Sequence, residues 1–324
     1  MVMYFENKIK YSHTLDNIFF ASNYNCKHNN HYVFNFLNSN KLSLILIFEF
    51  IYHLFFAIFI KLIGVKTIVF DNAHISNMFF AILCRIMNIR LIFTIHDALP
   101  HPGKKFFMTN LYNKFAYFVA SKIIVFSNLY DHPKHIYTRL AGFKWLDIKK
   151  ENSNKKMNVL FFGRLESYKG LNFIPDIYKA TKKIIPECKF TVAGNGDIPD
   201  SISILESEHF KIINKYLLDD EVKELFQESF CSILPYESAT QSGVSILSYS
   251  MNCPVVAFDV GAIGQYINDN SSKLIEPYDI DAFVSAIICL YRNQEAINLQ
   301  TVFENEFSYN AGKKVFFKLL KEIS

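Results

Sequence analysis

Between residues 157 and 292 the sequence repeats one pattern, an apolar run of strand length followed at a short interval by a segment of helix length. The spacing predicts strands over 157–162, 189–193, 210–213, 231–234, 254–258 and 273–275. Helices are predicted over 172–184, 219–229, 243–251 and 280–292. Strands that alternate with helices in this way form a parallel sheet wound on both faces, which fixes the class of this half as α/β. Asp219 fits as the N-cap of its helix, with acids in the first turn to complement the dipole.

Two loops at strand ends carry the candidate chemistry. After Met157–Phe162, Gly163 ends the strand, Arg164 and Lys169 follow five residues apart, and Gly170 precedes a helix. Ligands bind beyond the carboxyl ends of strands in open α/β sheets. A forked guanidinium beside a mobile ammonium suits a diphosphate there. The plain alternative is a solvated loop with two ordinary surface cations. After Cys231–Leu234, the stretch Tyr236–Gly243 leads into a helix whose first N–H groups, with Gln241 and Ser242 beside them, make an anion site. Two other stretches fail as motifs. Gly194-Asn195-Gly196 lacks a third glycine, because Pro199 stands there, so a dinucleotide such as NAD is excluded. Asp279-Ile280-Asp281 opens a helix, which makes capping rather than metal binding its reading.

The first half is less regular. Strands are predicted at 18–21, 31–34, 67–70, 91–95 and 122–126, with a helix over 76–88. His96 and Asp97 follow the strand 91–95 on the crevice side; a structural His-Asp pair is the alternative. Ser127 ends a later strand on the same side. Leu42–Ile63 is long enough to span a bilayer, but Glu49 and His53 on one helical face would be costly there. The reading is a helix packed on the sheet and partly open to lipid. Lys104-Lys105-Phe106-Phe107-Met108 sets two cations beside three apolar groups, as a membrane contact would, or as a basic rim over a buried helix. The polar run 147–156 is read as a linker. This divides the 324-residue chain into a first domain over 1–150 and a second over 157–305, with a last helix over 306–324.

Charge separates the halves. Residues 1–150 hold 17 Lys+Arg against 7 Asp+Glu, a balance of +10; residues 151–324 hold 17 against 23, a balance of −6. A basic half beside an acidic one points the first toward an anionic surface. No basic stripe interleaved with aromatics argues for nucleic acid. The six cysteines have no metal-ligand spacing and read as reduced core residues. No apolar run of a signal peptide follows Met1–Lys10, so the expected location is cytoplasmic.

The G-R-x-x-x-x-K-G stretch at 163–170, P-Y-E-S-A-T-Q-S-G at 235–243 and I-H-D-A-L-P-H-P-G at 95–103 together resemble glycosyltransferase family 4, in the branch that builds bacterial surface polysaccharides. The resemblance implies the GT-B fold, two Rossmann-like doubly wound parallel-sheet domains facing across a cleft. It implies a retaining, metal-independent transfer without cofactor, from a nucleotide-diphosphate sugar to a lipid-linked or surface-polysaccharide acceptor, at the inner face of the membrane. Arg164, Lys169 and His96 would be catalytic, with His96 touching the donor sugar. Gly163, Glu237, Ser238, Gln241, Ser242 and Gly243 would bind the donor. The last helix would return to the first domain.

The chain also departs from the family pattern. It has no glycine before Gly64, where members have a glycine-containing loop. Leu247 stands at the second of two glutamates eight residues apart, and either Glu237 or Ser238 stands at the first. Gln265 replaces an acid. These departures favour the alternative of a catalytically impaired nucleotide-sugar- or lipid-binding subunit of a polysaccharide assembly complex.

Overall fold

The computed structural model describes residues 2–5, 8–9, 42–70, 75–96, 107–142, 156–267 and 271–323. The expected strands at 18–21 and 31–34, the loop 97–106 and the linker up to residue 155 lie outside them.

Two six-stranded sheets organise the chain. The first contains β1 (Val2–Phe5), β2 (Lys8–Ile9), β3 (Thr67–Phe70), β4 (Arg90–Ile95), β5 (Lys122–Val125) and β6 (His135–Tyr137). Its order is β2-β1-β3-β4-β5-β6. From β3 to β6 the pairing is parallel, while β1 runs antiparallel to both β2 and β3. Sequence pattern missed β1, β2 and β6, since two to four residues are too few to show a period.

Each strand of this sheet alternates its faces. Ile68, Phe70, Leu91, Phe93, Ile95, Ile123 and Val125 point into one core, under α1 (Leu42–Leu62), α2 (Ile75–Ile86) and α3 (Phe107–Val119). Ala57 and Ile60 of α1 are fully buried in that core, so this helix, from residue 51 on, packs on the sheet as a layer helix. Val69, Ile92 and Ile124 point to the opposite face.

The second sheet is parallel throughout. Its strands are β7 (Asn158–Phe162), β8 (Lys189–Gly194), β9 (Phe210–Asn214), β10 (Ser229–Leu234), β11 (Val255–Phe258) and β12 (Lys273–Ile275). The main helices between and after them are α4 (Ile174–Ile184), α5 (Asp219–Glu228), α6 (Gly243–Ser250) and α7 (Ile280–Arg292). Near-continuous apolar strands such as Phe230–Leu234, buried on both sides, make its core.

The order β12-β11-β10-β7-β8-β9 decides where a ligand can sit. The chain builds outward from β7 to β9, then returns to β7's other side to add β10. The carboxyl ends of β7 and β10 are therefore the switch point of the sheet, where the loops diverge and leave a crevice.

Local details correct two expectations. The residue that caps α5 is Leu218 rather than Asp219, and the Glu221 carboxylate accepts from the Leu218 N–H at 2.9 Å. Helix α4 starts at Ile174, after a 3-10 turn over Leu171–Phe173. Asp279 does cap α7, accepting from Ala282 N at 2.9 Å.

After α7 the chain makes a wide turn at Phe303–Phe307 and enters α8 (Tyr309–Ile323). Phe316 of α8 packs on Val69, Ile92 and Ile124, the second face of the first sheet. Other contacts tie the sheets together. The Tyr266 hydroxyl donates to the Phe126 carbonyl at 2.8 Å and accepts from Leu140 N at 3.4 Å. Gly142 N donates to Phe307 O at 2.6 Å, and Arg139 pairs with Glu306.

Candidate functional site

The two predicted loops meet at the switch point and enclose a cavity of about 140 Å3. From the loop after β7 come Arg164, Tyr168 and Lys169; from the loop after β10 come Tyr236 and Ser238–Val244. Backbone contact holds them in register: Glu237 N donates to the Tyr168 carbonyl at 2.8 Å. Gly170 makes this approach possible. Its φ is +72°, and a Cβ placed there would sit 1.7 Å from the Pro235 carbonyl oxygen.

Lys169 is the central group. It is only 9% exposed, and its ammonium lies 5.1 Å from the centre of the Tyr236 ring. Burial, then the neighbouring Arg164 charge, lowers its pKa from the usual lysine value to about 8, with Glu166 opposing. Arg164 is different in kind. Its side chain is 64% exposed, pairs with Glu166 at 3.3 Å and reaches the Tyr168 hydroxyl at 3.5 Å.

The far wall is polar and incomplete. Ser242 caps α6, its hydroxyl accepting from Ser245 N at 3.1 Å and from the Ser245 hydroxyl at 2.7 Å. That leaves the N–H groups of Gly243 and Val244 as the helix-start donors at the cavity wall, since the first N–H groups of a helix have no carbonyl within it. The Tyr236 hydroxyl, Ser238 Oγ and Gln241 Oε1 are buried with no hydrogen-bond partner among the described residues. A buried polar group left unpaired costs about 1–3 kcal/mol, so three at one cavity mark a place a ligand completes.

The structure thus brings Arg164, Lys169, Ser238, Gln241, Ser242 and Gly243 together. It does not bring in Glu237, whose side chain is exposed and outside the cavity lining. The position eight residues before Leu247 is Ala239 rather than Glu237 or Ser238 as expected, and it lines the cavity with a methyl group. Gly163 lies behind Lys169 rather than on the lining; a Cβ there would be 2.6 Å from the ammonium nitrogen. His96 sits half-buried in the first domain at the end of β4, its ring 4.9 Å from that of Phe126. It is not on the lining either. Gln265 crosses between the sheets and hydrogen-bonds Asn128. Sequence reasoning did not single out Tyr168 or Tyr236. Their position beside the cationic loop was visible, but nothing in the pattern shows that the Tyr236 hydroxyl would be buried.

Comparisons with known proteins bear on the fold. Residues 156–293, the stretch that holds the second sheet and its main helices, match the family described as glycosyl transferases group 1. Among solved structures, the chain is similar to Anabaena HepE in complex with UDP, at 14% identity and a TM-score of 0.65, covering 86% of this chain and 83% of that one. It is also similar to a glycosyltransferase from Rickettsia africae, at 17% identity and a TM-score of 0.63 over 88% and 83% of the two chains. TarM of S. aureus is similar at 15% identity and a TM-score of 0.63 over 83% of this chain. The chain spans only 57% of TarM's length. These likenesses show the fold, two sheet domains of the GT-B type. No curated protein sequence gives a significant match.

Proposed function

We propose that the protein is a retaining glycosyltransferase that moves a sugar from a nucleotide-diphosphate donor to a lipid-linked saccharide at the inner face of the membrane. The observation that supports this most directly is the cavity at the β7/β10 switch point. It combines a buried cation, a helix start and three unpaired polar groups in a domain that matches group 1 glycosyl transferases. Its size and sign suit a diphosphate. HepE, of the same fold, was crystallised with UDP.

In this reading the bond between the anomeric carbon and the diphosphate oxygen breaks as the acceptor hydroxyl attacks from the same face. The acceptor's proton passes to the leaving phosphate oxygen. Lys169 and the N–H groups of Gly243 and Val244 stabilise the charge that develops on the leaving group, a contribution of roughly 10²–10³ in rate for one well-placed donor. Arg164 closes the cavity from its exposed side. His96 contacts the sugar from the first domain and needs no role as a base.

A second reading, a nucleotide-sugar-binding subunit without transferase activity, is favoured by Glu237 lying outside the cavity and by Ala239 and Leu247 where acids would be expected. One experiment separates them. Thermal-shift titration with UDP-, GDP-, ADP- and dTDP-sugars should identify a stabilising donor, and release of its nucleotide should depend on an added lipid-linked acceptor. Stabilisation without turnover would leave the binding subunit; no stabilisation by any donor would rule out both.

A further inference from the structure

Helices α1, α2 and α3 form one layer over the first sheet, with α2 between the other two. A surface helix ordinarily turns charged and polar residues away from the core. This layer does not. Phe55, Phe59 and Leu62 recur at i, i+4 and i+7 on α1, Ile82 and Ile86 at i, i+4 on α2, and Phe118 lies on α3; all six are exposed, Leu62 at 80% and Phe118 at 86%. Single exposed apolar residues are ordinary, but a band of them across three adjacent helices marks a contact surface.

The charges on the same layer say what kind of contact. Among the described side chains each helix carries one charge, and each is an exposed cation: Lys61, Arg85 and Lys114. Helical spacing sets them on the apolar side, Lys61 three residues after the exposed Ile58, Arg85 three residues after Ile82, and Lys114 four before Phe118. Across residues 42–130 the sequence has eight Lys and Arg against three acids, Glu49, Asp71 and Asp97. A second copy docked face to face would set these cations against one another. An anionic bilayer satisfies both features at once: the aromatic and aliphatic groups enter the boundary below the headgroups, and the cations meet the phosphates.

We propose that the outer side of the α1–α3 layer docks on an anionic lipid bilayer, in the plane of its interface. The inference rests on the membrane side of the function proposed above, and not on the donor cavity.

The test is cosedimentation with vesicles of phosphatidylcholine alone and of phosphatidylcholine mixed with phosphatidylglycerol. The protein should bind the mixed vesicles more tightly, and less so as salt is raised. Each of Lys61→Glu, Arg85→Glu and Lys114→Glu should weaken binding at least fivefold, from about 1 kcal/mol per cation. The pair Phe55→Ser and Phe59→Ser should abolish it. All five positions are exposed, and unchanged circular dichroism melts would show the variants folded. The proposal fails if the wild-type protein stays in the supernatant with mixed vesicles, or if the serine pair binds them as well as wild type. It also fails if light scattering shows a wild-type dimer that the serine pair converts to a monomer, which would make a second copy the occupant. UDP titration of the same samples reads the cavity separately. Wild-type protein that binds UDP but no mixed vesicles overturns this surface alone, and wild-type protein that binds the vesicles but no UDP overturns the donor reading alone.

Discussion

Lys169 is held where two demands conflict: burial and Arg164 disfavour its charge, and the proposed ligand requires it. The sign of the pH dependence follows. With its pKa lowered to about 8, the folded protein without ligand binds fewer protons than the unfolded chain between about pH 8 and the ordinary lysine value of about 10.4. Folding stability from this group therefore rises with pH across that window, while affinity for a diphosphate falls above pH 8 as the ammonium deprotonates. A bound diphosphate favours the charged form, so binding above pH 8 should take up a proton. Calorimetry in two buffers of different ionisation enthalpy would measure that uptake, and a binding enthalpy independent of buffer at pH 8.5 would contradict it. Lys169→Met should lower turnover by roughly 10²–10³ with little loss of stability, since it removes a strained charge and keeps the apolar stem. Arg164→Ala should cost less, roughly tenfold or under, because a solvent-exposed guanidinium is screened. Equal losses in the two variants, measured as kcat/KM, would show that burial does not rank them.

The elements that position these residues depend on a few backbone approaches. Gly170 is the tightest, and Gly170→Ala should destabilise the second domain by more than the 1–2 kcal/mol that left-handed backbone alone costs, because the new methyl would also meet the Pro235 carbonyl. A urea midpoint unchanged from wild type would show that the loop has room to move. Much of this element-scale layout was readable in the sequence. The strands from β7 to β12 are mainly apolar runs between turn residues, and the two cationic-loop glycines bracket Arg164 and Lys169. What the pattern could not show is which way side chains turn within a loop. Glu237 and Ser238 are neighbours in sequence, yet one faces solvent and the other the cavity, because the Glu237 N–H is tied to Tyr168. The Gly194-Asn195-Gly196 stretch has a similar lesson: its first glycine lets the ends of β7 and β8 approach closely, with a Cβ there 1.7 Å from the Gly163 carbonyl oxygen. Antiparallel β1 was illegible for another reason, since its pairing with β3 spans more than sixty residues and leaves no local trace.

At the scale of the whole molecule, the two sheets meet through few but specific groups. Tyr266 is fully buried and joins Phe126 to Leu140 through one oxygen. Tyr266→Phe leaves that carbonyl and N–H without their partner, at a cost of about 1–3 kcal/mol, concentrated where the domains touch. Thermal unfolding should fall and separate into two transitions; a single transition at the wild-type temperature would mean the junction does not depend on it. The path of α8 has a further consequence. The face of the first sheet formed by Val69, Ile92 and Ile124 is covered by Phe316, which the ribosome adds only after the entire second sheet. While residues 156–293 are being translated and can already fold, the first sheet emerges with one greasy side open. A nascent chain arrested shortly before α8 should therefore be a strong client of chaperones that hold unfinished proteins, and the full-length chain should not.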